Sequence, residues 1–232
     1  LTYSVTDSAG NKAAPVTRIV HLPDPAVAPV VLWAAGPTSE ADVSDVAVAI
    51  DDSIYAIGSF SGSVQFGQSL LQSQGLSDVF LSRRNFDGSL QWAVGFGGID
   101  DDYGTDVVVG SDGSVYVTGY FRGAVTFGDD VLISGGDGDA FLAKIDAQGA
   151  ILWARNLGGA EDDRGLGLAL AADGSVLWTG YFSGSVTADS FVLQNFGGSD
   201  AFLAKVGTDG SFAWVSAAGG AGDDSGEVVA AD

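Results

Sequence analysis

Residues 114–159 read SVYVTGYFRGAVTFGDDVLISGGDGDAFLAKIDAQGAILWARNLGG. Positions 115–120 are β-branched and aromatic residues around one glycine, a composition that suits a pleated, half-buried surface. AVTFG and VLIS, either side of Asp129-Asp130, read as a hairpin, and 141–145 alternates around Lys144. Gln148-Gly149 marks a turn before the next apolar stretch at 151–155. Immediately upstream, 106–110 (DVVVG) is a short apolar run closed by the turn signal Ser111-Asp112-Gly113. No 3.6-residue periodicity competes with these strands. The unit therefore predicts four strands plus a hairpin arm.

That unit recurs. Trp33, Trp92, Trp153 and Trp214 stand 59, 61 and 61 residues apart. Asp78, Asp139 and Asp200 keep a spacing of 61 and open DVFLSRRNFDG, DAFLAKIDAQG and DAFLAKVGTDG. SIYAIGSF, SVYVTGYF and SVLWTGYF begin at Ser53, Ser114 and Ser175, and GSVQFG, GAVTFG and GSVTAD follow them. Several landmarks on one period define a repeat architecture. Its length, about 60 residues, exceeds the ~40–50 of the commoner propeller repeats. Four antiparallel strands per unit, led by small and β-branched residues, favour a propeller blade over a solenoid rung or a sandwich half. In a blade the first strand lines a crowded axis, and a large residue on the last strand covers the gap to the next blade.

These residues carry a resemblance. The pattern GG-x-x-DD-x-G, then DGSVYVTGYFSGSVTFG, then GGSDAFLAKIDAQGAILWA, resembles the bacterial SBBP-type β-propeller repeat family. The match runs from about Val31 to the C-terminus and is strongest over 92–220. The first copy departs from it: Gly36-Pro37-Thr38-Ser39-Glu40-Ala41-Asp42 replaces the glycine and aspartate loop and is two residues shorter. The resemblance implies an all-β propeller fold and an extracellular or cell-surface location more than an activity. Residues 1–24 (LTYSVTDSAGNKAAPVTRIVHLPD) read as strand, turn, strand, and resemble the C-terminal strands of a bacterial immunoglobulin-like domain. Two strands do not complete such a domain. Residues 25–30 form a stiff linker within PDPAVAP, and 31–232 hold about three blade lengths, the last unfinished at SGEVVAAD. The expectation is a fragment of an incomplete propeller, exported under a signal encoded elsewhere.

Composition narrows the function. Thirty Asp and Glu against nine Lys and Arg give a net charge of −21. Such a surface repels phosphate backbones and anionic membranes and favours small cations and cationic partners. There is no Cys, hence no thiol nucleophile or Cys-held zinc, and no apolar run long enough to insert in a membrane. The one histidine, His21, lies in the N-terminal ribbon, and no serine-hydrolase, metalloprotease or P-loop motif occurs.

The candidate site is the acidic loop after each Trp strand: Asp100-Asp101-Asp102, Glu161-Asp162-Asp163 and Asp223-Asp224. Asp139 and Asp200 are expected on the same face. Asp101, Asp102, Asp162, Asp163, Asp223, Asp224, Asp139 and Asp200 form the candidate calcium set, since calcium takes six to eight oxygens and Gly-rich loops expose carbonyls. The competing expectation gives these aspartates a structural duty, accepting backbone N–H bonds that fix turns. The ligand spacing of an EF-hand is absent. A glycosidase also pairs carboxylates, but a pair repeated in every unit is unlike a single asymmetric active site. The period-locked tryptophans, and Trp178, are expected in the core rather than stacked on a sugar. Arg83, Arg84, Arg122, Arg155 and Arg164 read as solvated or paired charges. The functional expectation is a non-catalytic surface module for binding, adhesion or assembly, with a protein or glycan partner and no nucleic acid. One alternative is a carbohydrate-binding or carbohydrate-active propeller. The other is a subunit of a fibre assembled by strand addition at exposed edges.

Overall fold

The computed structural model describes residues 41–231, together with the backbone pairs Thr2–Tyr3 (β1) and Val16–Thr17 (β2). β1 and β2 pair antiparallel, Thr2 with Thr17 and Tyr3 with Val16. The chain divides into compact units Leu1–Val30 and Val31–Asp232. The expected immunoglobulin-like character of the ribbon, the linker at 25–30 and Trp33 fall outside the described residues.

The described protein is all-β. β3 (Ala41–Val48), β4 (Ile54–Phe66), β5 (Ser69–Arg84) and β6 (Leu90–Phe96) form one antiparallel sheet in chain order. β7 (Tyr103–Val109), β8 (Val115–Phe121), β11 (Asp139–Ile145) and β12 (Ile151–Gly159) repeat it, with β9 (Ala124–Phe127) and β10 (Asp130–Ile133) as a separate hairpin arm. β13 (Arg164–Leu170), β14 (Val176–Ala188), β15 (Phe191–Val206) and β16 (Phe212–Ala218) form the third copy. Here, as in the first copy, the arm is continuous with its parent strands. The second and third copies join into one sheet where Gly158 and Gly159 of β12 pair with Thr187 and Val186 in the arm of β14.

The turns follow from local chemistry. Gly88, Gly113, Gly149, Gly174 and Gly210 have φ between 80° and 89°, a region costly for any side chain. Asp87, Asp112, Asp173 and Asp209, one residue earlier, accept the N–H of the serine two residues on at 2.9–3.0 Å. Each first strand carries a register shift at the same place: Val43/Asp45, Gly104/Asp106 and Gly165/Gly167. Such bulges re-aim side chains and sharpen twist.

Successive strand residues point to opposite faces, so a sheet covered on both sides is buried at every position and mostly apolar. β11, DAFLAKI, is buried at all seven positions. Its Phe141, Ala143 and Ile145 join a core with Ile57, Leu81 and Phe96 of the first copy. Its Ala140 and Leu142 join a second core with Trp178, Phe182 and Phe202 of the third. The middle sheet is thus sandwiched between its neighbours.

The tryptophans lie at these seams. Trp92 packs edge-on to Tyr55 and donates its Nε1–H to Ala147 O, 3.0 Å away in the β11–β12 turn of the next copy. Trp153 does the same with Tyr116 and with Thr208 O at 3.0 Å in the β15–β16 turn. Gly149 and Gly210 lie flat against the two indoles, where a Cβ would crowd the ring. An aromatic body buried with its N–H satisfied is how a large indole sits in a core. Trp178 is fully buried and packs edge-on to Phe202.

Trp153→Ala removes this plug and one of the two donors to Thr208 O, the other being Lys144 Nζ. It should lower the unfolding free energy by about 3–5 kcal/mol, read from urea denaturation. A loss below about 1 kcal/mol would show that the seam does not depend on the indole.

Candidate functional site: the acidic loops at the repeat seams

Each acidic loop turns back across the edge of its own sheet. The N–H of Asp102 donates to Ser77 O at 2.7 Å, that of Asp163 to Gly138 O at 2.8 Å, and that of Asp224 to Ser199 O at 2.7 Å. This places each loop beside Asp78, Asp139 or Asp200, all of which are buried. The approach of the two groups of aspartates expected from topology is therefore present.

Most of their oxygens accept from backbone, while Asp78 Oδ1 and Asp200 Oδ1 are buried without a hydrogen-bond partner among the described residues. Asp102 Oδ2 accepts from Gly98 N at 2.6 Å, and its Oδ1 from Arg122 N, in the next copy, at 3.1 Å. Asp163 accepts from Gly159 N at 2.8 Å and from Ser183 N, again in the next copy, at 2.8 Å. One carboxylate thus closes its own loop and holds the neighbouring sheet. Asp78, Asp139 and Asp200 accept from Gln74 N, Gly135 N and Phe196 N at 3.0, 3.1 and 2.8 Å, pinning the end of each hairpin arm. Asp139 also accepts from Asn156 Nδ2 at 2.8 Å. Gly97, Gly158 and Gly219 face these three carboxylates so closely that a Cβ would overlap them. The glycine before each acidic loop is there to make room for a buried aspartate.

Burial pushes the Asp102 carboxyl up to about 7, against the two N–H donors that favour its charged form, with the nearby Asp78 and Asp100 adding to the rise. Burial raises Asp163 to about 7 likewise, helped by the charges of Asp139 and Asp162. Asp139 is raised by burial, opposed by its bonds from Asn156 and Gly135.

Not every expected site residue converges. Asp101 is half-buried and lies near Tyr103, whose hydroxyl is 3.4 Å from its Oδ1. Asp162 is half-buried and accepts from Arg164 Nε at 2.8 Å and from Tyr181 Oη at 2.7 Å. Asp223 is exposed and accepts from Ser199 N at 3.1 Å. Among the described residues, no group of three or more His, Asp or Glu side chains converges to hold a metal ion. The candidate calcium set is spread over separate loops; Asp102, Asp139 and Asp163 spend both oxygens on N–H donors, and Asp200 spends one, its Oδ1 being buried without a partner among the described residues.

Two further clusters escaped sequence reasoning. On the first strand of each sheet, Asp45 Oδ2 and Asp106 Oδ1 both face Val107 N, at 3.2 and 2.7 Å, and Asp106 Oδ2 accepts from Leu168 N at 2.6 Å. Burial and the neighbouring Asp45 push Asp106 well above the ordinary carboxylate range. On the face of the acidic loops, Tyr103 stacks on Tyr120 at 5.0 Å, and the Arg164 guanidinium lies 4.1 Å from the Tyr120 centroid and 5.9 Å from that of Tyr181. The signal was available: 103 and 164, like 120 and 181, share the 61-residue period. The reading of the arginines as solvated or paired charges fits Arg83, which pairs with Asp51 at 2.8 Å, and is corrected for Arg84. Arg84 is buried and donates to Gly88 O at 2.9 Å, and Arg83 reaches across the seam to Ala147 O at 2.9 Å. The Arg83 guanidinium also lies 5.5 Å from the centroid of the Tyr55 ring.

No protein-family model matches the chain. A stretch of 77 residues, 32% of the chain, is 43% identical to Regulatory protein FlaEY of Caulobacter vibrioides. It spans 8% of that protein.

A carboxyl whose folded pKa is raised from 3.8 to about 7 stabilises the fold most when protonated. That stabilisation is complete below 3.8 and is lost as pH rises through about 7. Melting temperature should therefore fall between pH 5 and pH 8, within the window those values define. The double variant Asp102→Asn, Asp163→Asn should be less stable overall, because each amide NH₂ meets a backbone donor, and should show a flatter pH profile. A wild-type profile rising over this window would contradict the assignment.

Proposed function

We propose that the chain is a segment of a β-propeller in which each four-stranded repeat is one blade, and that it works as a non-catalytic binding or scaffolding module at the cell surface. The observation that carries this reading is the commitment of the repeated buried carboxylates, Asp102 and Asp163, to backbone amides of two adjacent sheets. Buried carboxylates with a structural N–H on each oxygen favour a structural duty over one as acid, base or nucleophile. Side-by-side sheets with an indole in each seam support the propeller reading, as does the resemblance to SBBP-type repeats. Likeness to a protein described as regulatory fits a module that acts by contact. The surface location rests on the family resemblance and on the cysteine-free, acidic composition.

A second reading has its own observation. The half-buried ladder Tyr103–Tyr120–Arg164–Tyr181 offers flat rings and a guanidinium beside Asp101 and Asp162, the mixture that recognises a carbohydrate. The two readings part on a glycan array probed with the whole chain. The first expects no glycan retained and no turnover of chromogenic glycosides or esters. Retention lost in Tyr103→Ala favours the second. Turnover abolished by Asp101→Ala or Asp102→Ala overturns both in favour of an enzyme. Calorimetric titration with calcium should give no binding heat, and a chelator should leave the melting temperature unchanged.

A further inference from the structure

The two seams serve as templates for a third surface. Trp92 and Trp153 reach a turn carbonyl of the following sheet, at Ala147 and Thr208. Arg83 and Lys144 donate to the same carbonyls, at 2.9 and 3.3 Å. Asp102 and Asp163 each take an N–H from the following sheet, at Arg122 and Ser183. One period later stand Trp214, Lys205 and Asp224. Among the described residues none of these three meets a following sheet. Trp214 is 38% exposed where Trp153 is 8%. Asp224 accepts from Gly220 N at 2.8 Å, the counterpart of Gly98 and Gly159, and is exposed.

The apolar lining shows the same change. Ala140, Leu142 and Leu157 are fully buried, whereas their counterparts Ala201, Leu203 and Ala218 are half-buried or exposed. With Val228 and Ser216 they line an open groove of about 290 Å³. Residues before Val228 already begin to cross it, since Gly226 N donates to Gly180 O at 3.0 Å.

We propose that this face is a docking surface for one further four-stranded sheet of the same repeat type. Resting on the stacked-repeat reading above, it specifies the occupant's chemistry. The occupant must place the carbonyl of a turn over Trp214 Nε1 and a left-handed glycine against the indole face. It must also bring a backbone N–H to the open side of Asp224 and an apolar strand face to Leu203 and Ala218. The seams already formed tolerate Arg122 or Ser183 at the donor, and Ala147 or Thr208 at the acceptor, because both groups are backbone. The occupant is therefore selected by sheet geometry more than by side-chain identity. A free peptide strand would supply hydrogen bonds at an edge but no turn over the indole.

The test extends the whole chain at Asp232 by a second copy of residues 172–232, which continues the repeat in register. Acrylamide quenching of the Trp214 contribution, isolated by difference against Trp214→Phe, should fall several-fold in the extended chain. Asp224→Ala should lower the melting temperature of the extended chain by several degrees and that of the original chain hardly at all. A folded extended chain with Trp214 as quenchable as before overturns the proposal. Should the extension not fold, the original chain decides: Trp214 must quench several-fold more readily than Trp153, and equal shielding removes the open face. Shielding of Trp214 that appears with concentration, alongside dimers in sedimentation, would make the occupant a second copy instead and overturn the assignment. Glycan binding or turnover in the earlier screen would leave this result standing, so the two readings fail separately.

Discussion

Neighbouring sheets are held together by side chains of one that bond to the backbone of the next, and this happens at three places in the seam. On the first strands, Asp45 and Asp106 accept from Val107 N and Leu168 N. At the loop, Asp102 and Asp163 accept from Arg122 N and Ser183 N. On the last strand of each sheet, Trp92 and Trp153 donate to Ala147 O and Thr208 O. A buried backbone group left unpaired costs about 1–3 kcal/mol, so each such bond removes a penalty that stacking two sheets would otherwise impose. The receiving residue differs from seam to seam, while the group that binds it stays the same.

The acidity of the chain acquires a second meaning from this arrangement. Exposed aspartates account for solubility, but Asp78, Asp102, Asp139, Asp163 and Asp200 lie inside. Burying a carboxylate is costly unless it is hydrogen-bonded. Here glycines at 97, 158 and 219 let backbone come close, and the loop amides do the bonding. A loop whose composition would suit a catalytic pair or a cation also clasps the adjoining sheet through Asp102 and Asp163.

The strands, the turns and the seam role of the tryptophans were legible from residues because they depend on local or periodic information. Asp112-Gly113 sets a turn by its own backbone preference, and a 61-residue recurrence of Trp needs a repeated environment. The pair Asp45–Asp106 was not legible, since the third copy has Gly167 there and a two-member series hides in an acidic chain. Arg84 read as a solvated or paired charge because an arginine in a sequence carries no mark of the carbonyl that waits for it.

The amino-acid sequence by itself determined the all-β character, the unit length, the turn positions and the residues that recur at each seam. Those properties follow from side-chain alternation, glycine conformation and period, all of which act along the chain. Only the tertiary structure decided which aspartates are buried, which amide each one accepts from, and why Trp153 is enclosed while Trp214 is open. Equivalent residues diverge there because burial depends on what lies across the seam, and the neighbour that covers a side chain is set by packing rather than by the residues beside it.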